Sequence, residues 1–372
     1  VKALTQNNLI RNIYLIANSV IYLMIFYFIF NIINSINNIN TKQDKDAHNL
    51  EAIMLITMIF LVPKLIAVFF LLVDDILRFG KFLFQSFSSE GKHYPGRRKF
   101  LSLLALGGTA LLSLAVIDGA IWGKYRHTLR RIKLKFKNLP KSFKGYKIIQ
   151  ISDVHSGSFS DPSKLQYAID LINEQKPDLV LFTGDMVNNY ADEFKPFISL
   201  FSQIKAKDGK FSVLGNHDYN SVEKNMAGLK SLGYKVLVNE NDKITVNNQS
   251  IYISAVDDLL KGKPDAQKAL NGIKKDDFNI FITHNPDYFE EMTNEQKERS
   301  DMTLAGHTHG GQITLFGLIL WAEIKHPWKY GYGLKEYDGN KIYTTSGVGG
   351  GAFEMFIRFF AQPEIVVLKL RK

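Results

Sequence analysis

The acidic and histidine residues of this chain gather at the ends of short apolar runs. The segment Leu304-Ala305-Gly306-His307-Thr308-His309-Gly310-Gly311-Gln312 sets two histidines two residues apart between glycines, a pattern that packing explains poorly. Four earlier segments share the layout: Ile151-Ser152-Asp153-Val154-His155, Thr183-Gly184-Asp185, Leu214-Gly215-Asn216-His217-Asp218 and Ile282-Thr283-His284-Asn285-Pro286. Together they supply Asp153, His155, Asp185, Asn216, His284, His307 and His309, a set of oxygen and imidazole donors. Donors of this intermediate hardness suit Mn, Fe or Zn rather than a calcium cage or a thiolate zinc site. Seven are too many for one ion. They fit two, with Asp185 bridging, ~3.5–4 Å apart and holding a hydroxide between them. Glycines at 184, 215 and 306 let the backbone turn sharply so that the donors converge.

Such a site needs strands that end together. Lys147–Ser152, Leu179–Phe182, Lys210–Leu214, Asn279–Thr283 and Met302–Ala305 read as strands, each stopping at one of the donor segments. Helices are expected over Leu165–Glu174, 192–205 and 221–232. Tyr234–Val238, Lys243–Val246 and Ser250–Val256 read as β segments with hairpin turns, and Lys341–Thr345 and Glu364–Leu370 as closing strands. Strand–helix alternation followed by hairpins predicts an α/β domain of two mixed sheets packed together with helices outside. Sites in such folds are built from loops at the carboxyl ends of strands.

That domain is expected over 124–372; residues 1–123 are of another kind. Stretches at 9–33, 52–73 and 101–122 are long and apolar enough for three transmembrane helices across a core of ~30 Å. Pro63 and Lys64 near the middle of the second predict a kinked span with Lys64 paired to another helix. Residues 76–87 read as a basic amphipathic stretch on the membrane surface. Gly96-Arg97-Arg98-Lys99-Phe100-Leu101 before the third span forms a twin-arginine-like motif, with no small-residue cleavage site after it, so that span is expected to stay as an anchor. The loop at 74–100 is more basic than the loop at 34–51, which puts it in the cytoplasm and the catalytic domain on the non-cytoplasmic side. The basic tract at 124–137 speaks against that orientation and reads as a strand and linker resting on anionic headgroups.

The chain has 46 Lys plus Arg against 36 Asp plus Glu, a net +10, yet no basic stripe with interleaved aromatics of the kind that binds single-stranded nucleic acid. The absence of cysteine excludes disulfides and thiolate metal sites. His48, His93, His127 and His326 stand outside any motif and read as structural, Thr308 as a spacer, and Gly157 and Asn188 as shaping the rim.

The five donor segments, D-x-H, G-D, G-N-H-D, H and G-H-x-H in that order, resemble the calcineurin-like metallophosphoesterase superfamily. Gly306–Gln312 and the ending Ser346-Gly347-Val348-Gly349, Arg358-Phe359-Phe360 and Pro363-Glu364 are similar to its membrane-associated YkuE-like branch. The resemblance covers roughly residues 130–372, and the spans preceding the arginine pair depart from it. It implies a four-layer αββα sandwich and a metal-dependent phosphoric ester hydrolase. One ion would take Asp153, His155, Asp185 and His309, and the other Asp185, Asn216, His284 and His307. His217 would act on the substrate phosphate, stabilising charge or protonating the leaving group, with Asp218 orienting it. The bridging hydroxide would attack phosphorus in line.

The substrate expected is a phosphomonoester, phosphodiester or pyrophosphate, with an envelope lipid or glycolipid favoured. Leu315–Trp321 and Phe353–Phe360, with Trp328, could dip into the bilayer beside the cleft; the other reading is core packing or a self-association surface. The alternatives are a UDP-2,3-diacylglucosamine-type pyrophosphatase at the cytoplasmic face, a non-catalytic metal-binding membrane scaffold and a transporter with an accessory domain. No donor is missing, which disfavours the scaffold, and the few spans disfavour the transporter.

Overall fold

The computed structural model describes residues 95–159, 161–311, 330–337, 339–350, 358 and 361–372, with isolated helical positions between 12 and 30 and between 68 and 80. The spans at 9–33 and 52–73 lie outside the described residues but for those isolated positions, as does the stretch at 76–87. Lys64, Leu315–Trp321, Trp328 and all of Phe353–Phe360 except Arg358 lie outside them entirely. The chain divides into two compact units, Val1–Ala120 and Ile121–Lys372.

In the first unit, Pro95–Ile121 forms helix α1, with Arg97 and Arg98 in its first turn. Proline is tolerated there because a first-turn N–H has no intrahelical partner. The helical stretch Leu103–Tyr125 is long and apolar enough to cross a membrane. Leu103, Leu104, Leu106, Leu111 and Leu114 are exposed, more of the circumference than a soluble helix leaves to water. The described positions nearer the amino terminus are also helical, and Ile16, Val20, Leu23, Phe26, Phe30, Val68, Leu72 and Phe79 among them are exposed apolar residues.

The second unit holds two six-stranded sheets. The first is built from β1 (Thr128–Lys135), β2 (Lys147–Ile151), β3 (Leu179–Phe182), β4 (Lys210–Ser212), β5 (Lys235–Val236) and β12 (Glu364–Arg371), in the order β1-β12-β2-β3-β4-β5. Strands β2 to β5 run parallel, and β12 lies antiparallel to β2. The second sheet has β6 (Glu240–Val246), β7 (Gln249–Ala255), β8 (Asn279–Ile282), β9 (Met302–Ala305), β10 (Gly333–Tyr337) and β11 (Asn340–Thr344), in the order β10-β11-β9-β8-β7-β6.

Alternation along each strand divides the core. Ile148, Leu179, Leu181 and Leu368 face Ile253, Ile280, Ile282 and Leu304 between the sheets. Ile149, Ile151, Val180 and Phe182 point the other way, beneath helices α2 (Gln166–Glu174), α3 (Ile198–Phe201) and α4 (Val222–Ser231). Phe281 and Ile342 pack outward against Ala266, Leu270, Tyr288 and Phe289, from short helices over the second sheet. The result is the expected helix–sheet–sheet–helix sandwich.

Several local expectations differ. The helix expected over 192–205 is a 3-10 segment, Ala191–Phe197, running into α3. Pro196 lies inside that segment and has no N–H for an α-helical bond. The expected β segment Tyr234–Val238 keeps only two ladder residues as β5, whereas β6 begins at Glu240 instead of Lys243. Strand β10 and the short helices at Ala266–Ala269, Tyr288–Glu291 and Asn294–Glu298 were not legible.

Candidate metal centre

The donor residues follow the carboxyl ends of five strands that the sandwich brings to one edge. Asp153 and His155 come after β2, Asp185 after β3, Asn216 after β4, His284 after β8, and His307 and His309 after β9. Five of these adopt left-handed backbone: Asp153 (φ 50°), His155 (45°), Asp185 (59°), His307 (69°) and His309 (52°). Side chains rarely adopt this conformation, and its concentration here is the mark of a site that over-determines its backbone. Gly306 and Gly215 permit the close approach, because a side chain at Gly306 would collide with the Asp153 carboxylate and one at Gly215 with that of Asp185.

Three clusters of potential ligand atoms result: Asp153, His155 and His309; His155, Asp185 and His217; and Asp185, His284 and His307. Asp185 Oδ2 lies 3.5 Å from His155 Nε2 and 3.1 Å from His284 Nε2, at the junction of the clusters. Asp153 Oδ1 is 3.6 Å from His309 Nε2 and 4.0 Å from His155 Nε2. The His307 backbone amide donates to both Asp153 carboxylate oxygens, at 3.0 and 3.1 Å.

The interior donors fit a divalent cation. Both ring nitrogens of His155, His284 Nε2 and Asn216 Oδ1 are buried without a hydrogen-bond partner. Leaving such atoms unpaired costs on the order of 1–3 kcal/mol each. His284 Nδ1–H donates to the Thr183 carbonyl at 2.7 Å, which turns the Nε2 lone pair toward a carboxylate oxygen. Two lone pairs facing at 3.1 Å require a cation or a proton between them.

The electrostatics agree. Burial pushes His155 down to about 3 and His307 to about 4, and holds His309 well below the ordinary value, so all three imidazoles are neutral donors near pH 7. Burial alone would lower His284 too, but the Asp185 charge outweighs it and lifts His284 to about 10. Asp185 is held well below the usual carboxylate range, its own burial outweighed by the neighbouring imidazoles. Burial lifts Asp153 to about 6.

His217 is half-buried, and its ring meets His155 edge-on with centroids 4.8 Å apart. Its Nδ1–H donates to the Asn188 carbonyl at 2.6 Å, leaving Nε2 free for the site. Its amide donates to Asp185 Oδ1 at 2.9 Å. Asp218 does not orient this ring as expected. Its carboxylate accepts instead from the amides of Asp185, Met186 and Gly215, each at 2.9 Å. Three otherwise unsatisfied backbone donors draw the carboxylate inward, so Asp218 fixes the β3 and β4 turns to each other and Asn188 aims His217.

Sequence reasoning gave no role to one buried side chain beside the site. Arg358 is fully buried, with Nη1 donating to the His309 carbonyl (2.9 Å), Nη2 to that of Ser346 (2.7 Å) and Nε to that of Gly349 (2.9 Å). Burial lowers it to about 10, and it remains charged. It ties the His309 turn to the loop carrying Val348 and Gly349, whose amides donate to the carbonyls of Ser152 and Asp153. The forewarning was its place in the Arg358-Phe359-Phe360 segment of the family-like ending, an arginine within an apolar tract. His127 is structural as expected, its ring nitrogens facing the carbonyls of Tyr125 and Val348 at 3.1 and 3.0 Å. His48, His93 and His326 lie outside the described residues.

The family model "Calcineurin-like phosphoesterase" matches residues 146–311, and "Probable Calcineurin-like phosphoesterase, transmembrane domain" matches residues 1–124. "Uncharacterized metallophosphoesterase YkuE" of Bacillus subtilis is 32% identical over 74% of this chain and 97% of its own length. "Transmembrane protein with metallophosphoesterase domain" of Danio rerio is 30% identical over 82% of this chain and 71% of its own. "Phosphodiesterase YaeI" of Escherichia coli is 34% identical over 60% of this chain and 82% of its own.

Proposed function

We propose that this chain, which belongs to the calcineurin-like metallophosphoesterases, is a membrane-anchored enzyme that uses two divalent cations to hydrolyse a phosphate ester or pyrophosphate bond on a lipid or glycolipid. That it is a metal-dependent hydrolase with a membrane-associated region follows from its kinship. The number of ions, the reaction and the substrate are our reading. The observation that carries it is that the clusters His155–Asp185–His217 and Asp185–His284–His307 share the Asp185 carboxylate and that a third, Asp153–His155–His309, shares His155, whose buried ring nitrogens have no hydrogen-bond partner.

Asp153, His155, Asp185 and His309 would hold one cation, and Asp185, Asn216, His284 and His307 the other. When bound, such a pair acidifies a shared water and neutralises charge developing on phosphoryl oxygens. The chain's own groups do the rest. Neutral His155, His307 and His309 offer lone pairs without first losing a proton. His217, aimed by Asn188, presents Nε2 to a phosphoryl oxygen or to the leaving group and can deliver a proton there. Asp218 and Arg358 hold the turns that carry these groups.

A lipid substrate is supported by connectivity. The candidate membrane helix ends at Tyr125, two residues before His127, and His127 bonds the loop whose Gly349 amide reaches the Asp153 carbonyl. The chain therefore enters this domain beside the site. We place the domain on the non-cytoplasmic side, by the basic loop at 74–100.

The test is turnover by the full chain in detergent and in vesicles, on a chromogenic phosphodiester and on a phospholipid. Activity that requires Mn, Fe or Zn and disappears in Asp185→Asn is expected. Substituting Phe356 and Phe359 with Ser should lower turnover of the phospholipid and leave the soluble ester unaffected. Equal loss on both would remove the lipid assignment and leave the hydrolase intact.

A further inference from the structure

At the free edge of the first sheet the outward faces of β1 and β12 carry a concentrated positive charge. Leu129, Ile365 and Val367 pack on the helix-side core, which fixes the face to which alternate residues point. Along β1 that face continues through Arg131, Lys133 and Lys135, and along β12 through Lys369 and Arg371, all five exposed. In register, Lys133 stands beside Lys369, Lys369 beside Lys147, and Lys135 beside Arg371. Like charges directly across a ladder destabilise a sheet. Among the described residues none of the five exposed cations has an acidic partner. Arg131 reaches only the neutral Gln175, at 3.4 Å.

We propose that this face docks on the anionic headgroups of the bilayer that anchors the chain. Three observations select that occupant. The charge is of one sign and, among the described residues, meets no acidic partner, so it is complementary to an anionic surface. The strand also follows the candidate membrane helix directly: Arg131 is six residues beyond Tyr125 (131 − 125), at most ~20 Å of extended chain. Finally, these rows hold arginine, lysine and aliphatic side chains and no aromatic on which nucleic acid bases could stack. Docking holds β1 along the membrane surface and restricts how the domain rolls about its tether. Docking by this face uses none of the metal-centre residues and does not depend on turnover.

The natural chain has no cysteine, so Lys135→Cys introduces a unique position for a fluorophore. The full-length protein is reconstituted in nanodiscs of phosphatidylcholine alone or mixed with phosphatidylglycerol, and quenching by a water-soluble quencher is measured. A label at exposed Asn294→Cys serves as the control. Shielding at position 135 is expected only with phosphatidylglycerol, and should vanish in about 1 M salt, where the Debye length is about 3 Å. Lys133→Gln and Lys369→Gln should each weaken the docked state about fivefold, equivalent to ~1 kcal/mol per basic residue beside an anionic membrane. Equal accessibility in both lipids, or shielding that ignores charge and salt, overturns the proposal. Shielding by an oligonucleotide but not by phosphatidylglycerol would also overturn it, in favour of nucleic acid.

Discussion

His155, His284 and His307 lie around one carboxylate, Asp185, yet burial holds His155 and His307 neutral while the Asp185 charge overrides burial at His284. Without metal, burial pushes His155 and His307 down to about 3 and 4 from 6.5, so the unfolded chain binds more protons across that interval. Their contribution to stability is therefore lost as pH falls from about 6.5 toward 3. His284, raised to about 10, works the other way: its contribution is present below 6.5 and is lost as pH rises toward 10. Thermal melts of chelator-treated protein should thus weaken on both sides of neutrality, and added metal should flatten the alkaline limb by replacing the His284 proton. An alkaline limb unchanged by metal would mean that His284 is not a ligand. For His217→Ala, kcat should fall ~10²–10⁴-fold, the usual worth of a positioned proton donor, with bound metal unchanged. Arg358→Ala should weaken retention of one metal ~10–100-fold, as the loss of a ligand's support does, which equilibrium dialysis would register.

The strand ends were the most legible elements. Apolar β-branched runs such as Lys147–Ile151 and Asn279–Ile282 announce buried strands, and the donor residues that interrupt them announce the site. Strand β10 was hidden because Gly333–Tyr337 is a largely exposed edge with charged residues and no apolar run. β1 reads as part of a strand and linker, but its pairing was hidden, since its partner β12 lies at the far end of the chain and no local pattern announces it. The role of Asp218 misled for a related reason: adjacency to His217 in sequence does not reveal which way a turn points its carboxylate. At this scale Gly306→Ala is the informative change. Its methyl must displace both the Ser152 hydroxyl and the Asp153 carboxylate, at a cost of about 1–3 kcal/mol for overpacking. Metal retention should drop with stability, as differential scanning fluorimetry with and without metal would reveal; full retention would mean that the turn relaxes without moving Asp153.

For the molecule as a whole, the sequence divides at the end of its apolar half, and the fold divides near the same place, between Ala120 and Ile121. The sandwich then carries donors from both sheets to one edge, and Asp185 stands where the two sets meet. Metal content is therefore the most direct test. The full-length protein and its Asp185→Asn variant would be purified, loaded with manganese, freed of excess metal and measured for bound metal per chain alongside phosphodiester turnover. We predict two ions per wild-type chain, with both occupancy and turnover collapsing in the variant. One ion or none in the wild type, or a variant that keeps both ions and its rate, would contradict the shared-carboxylate centre.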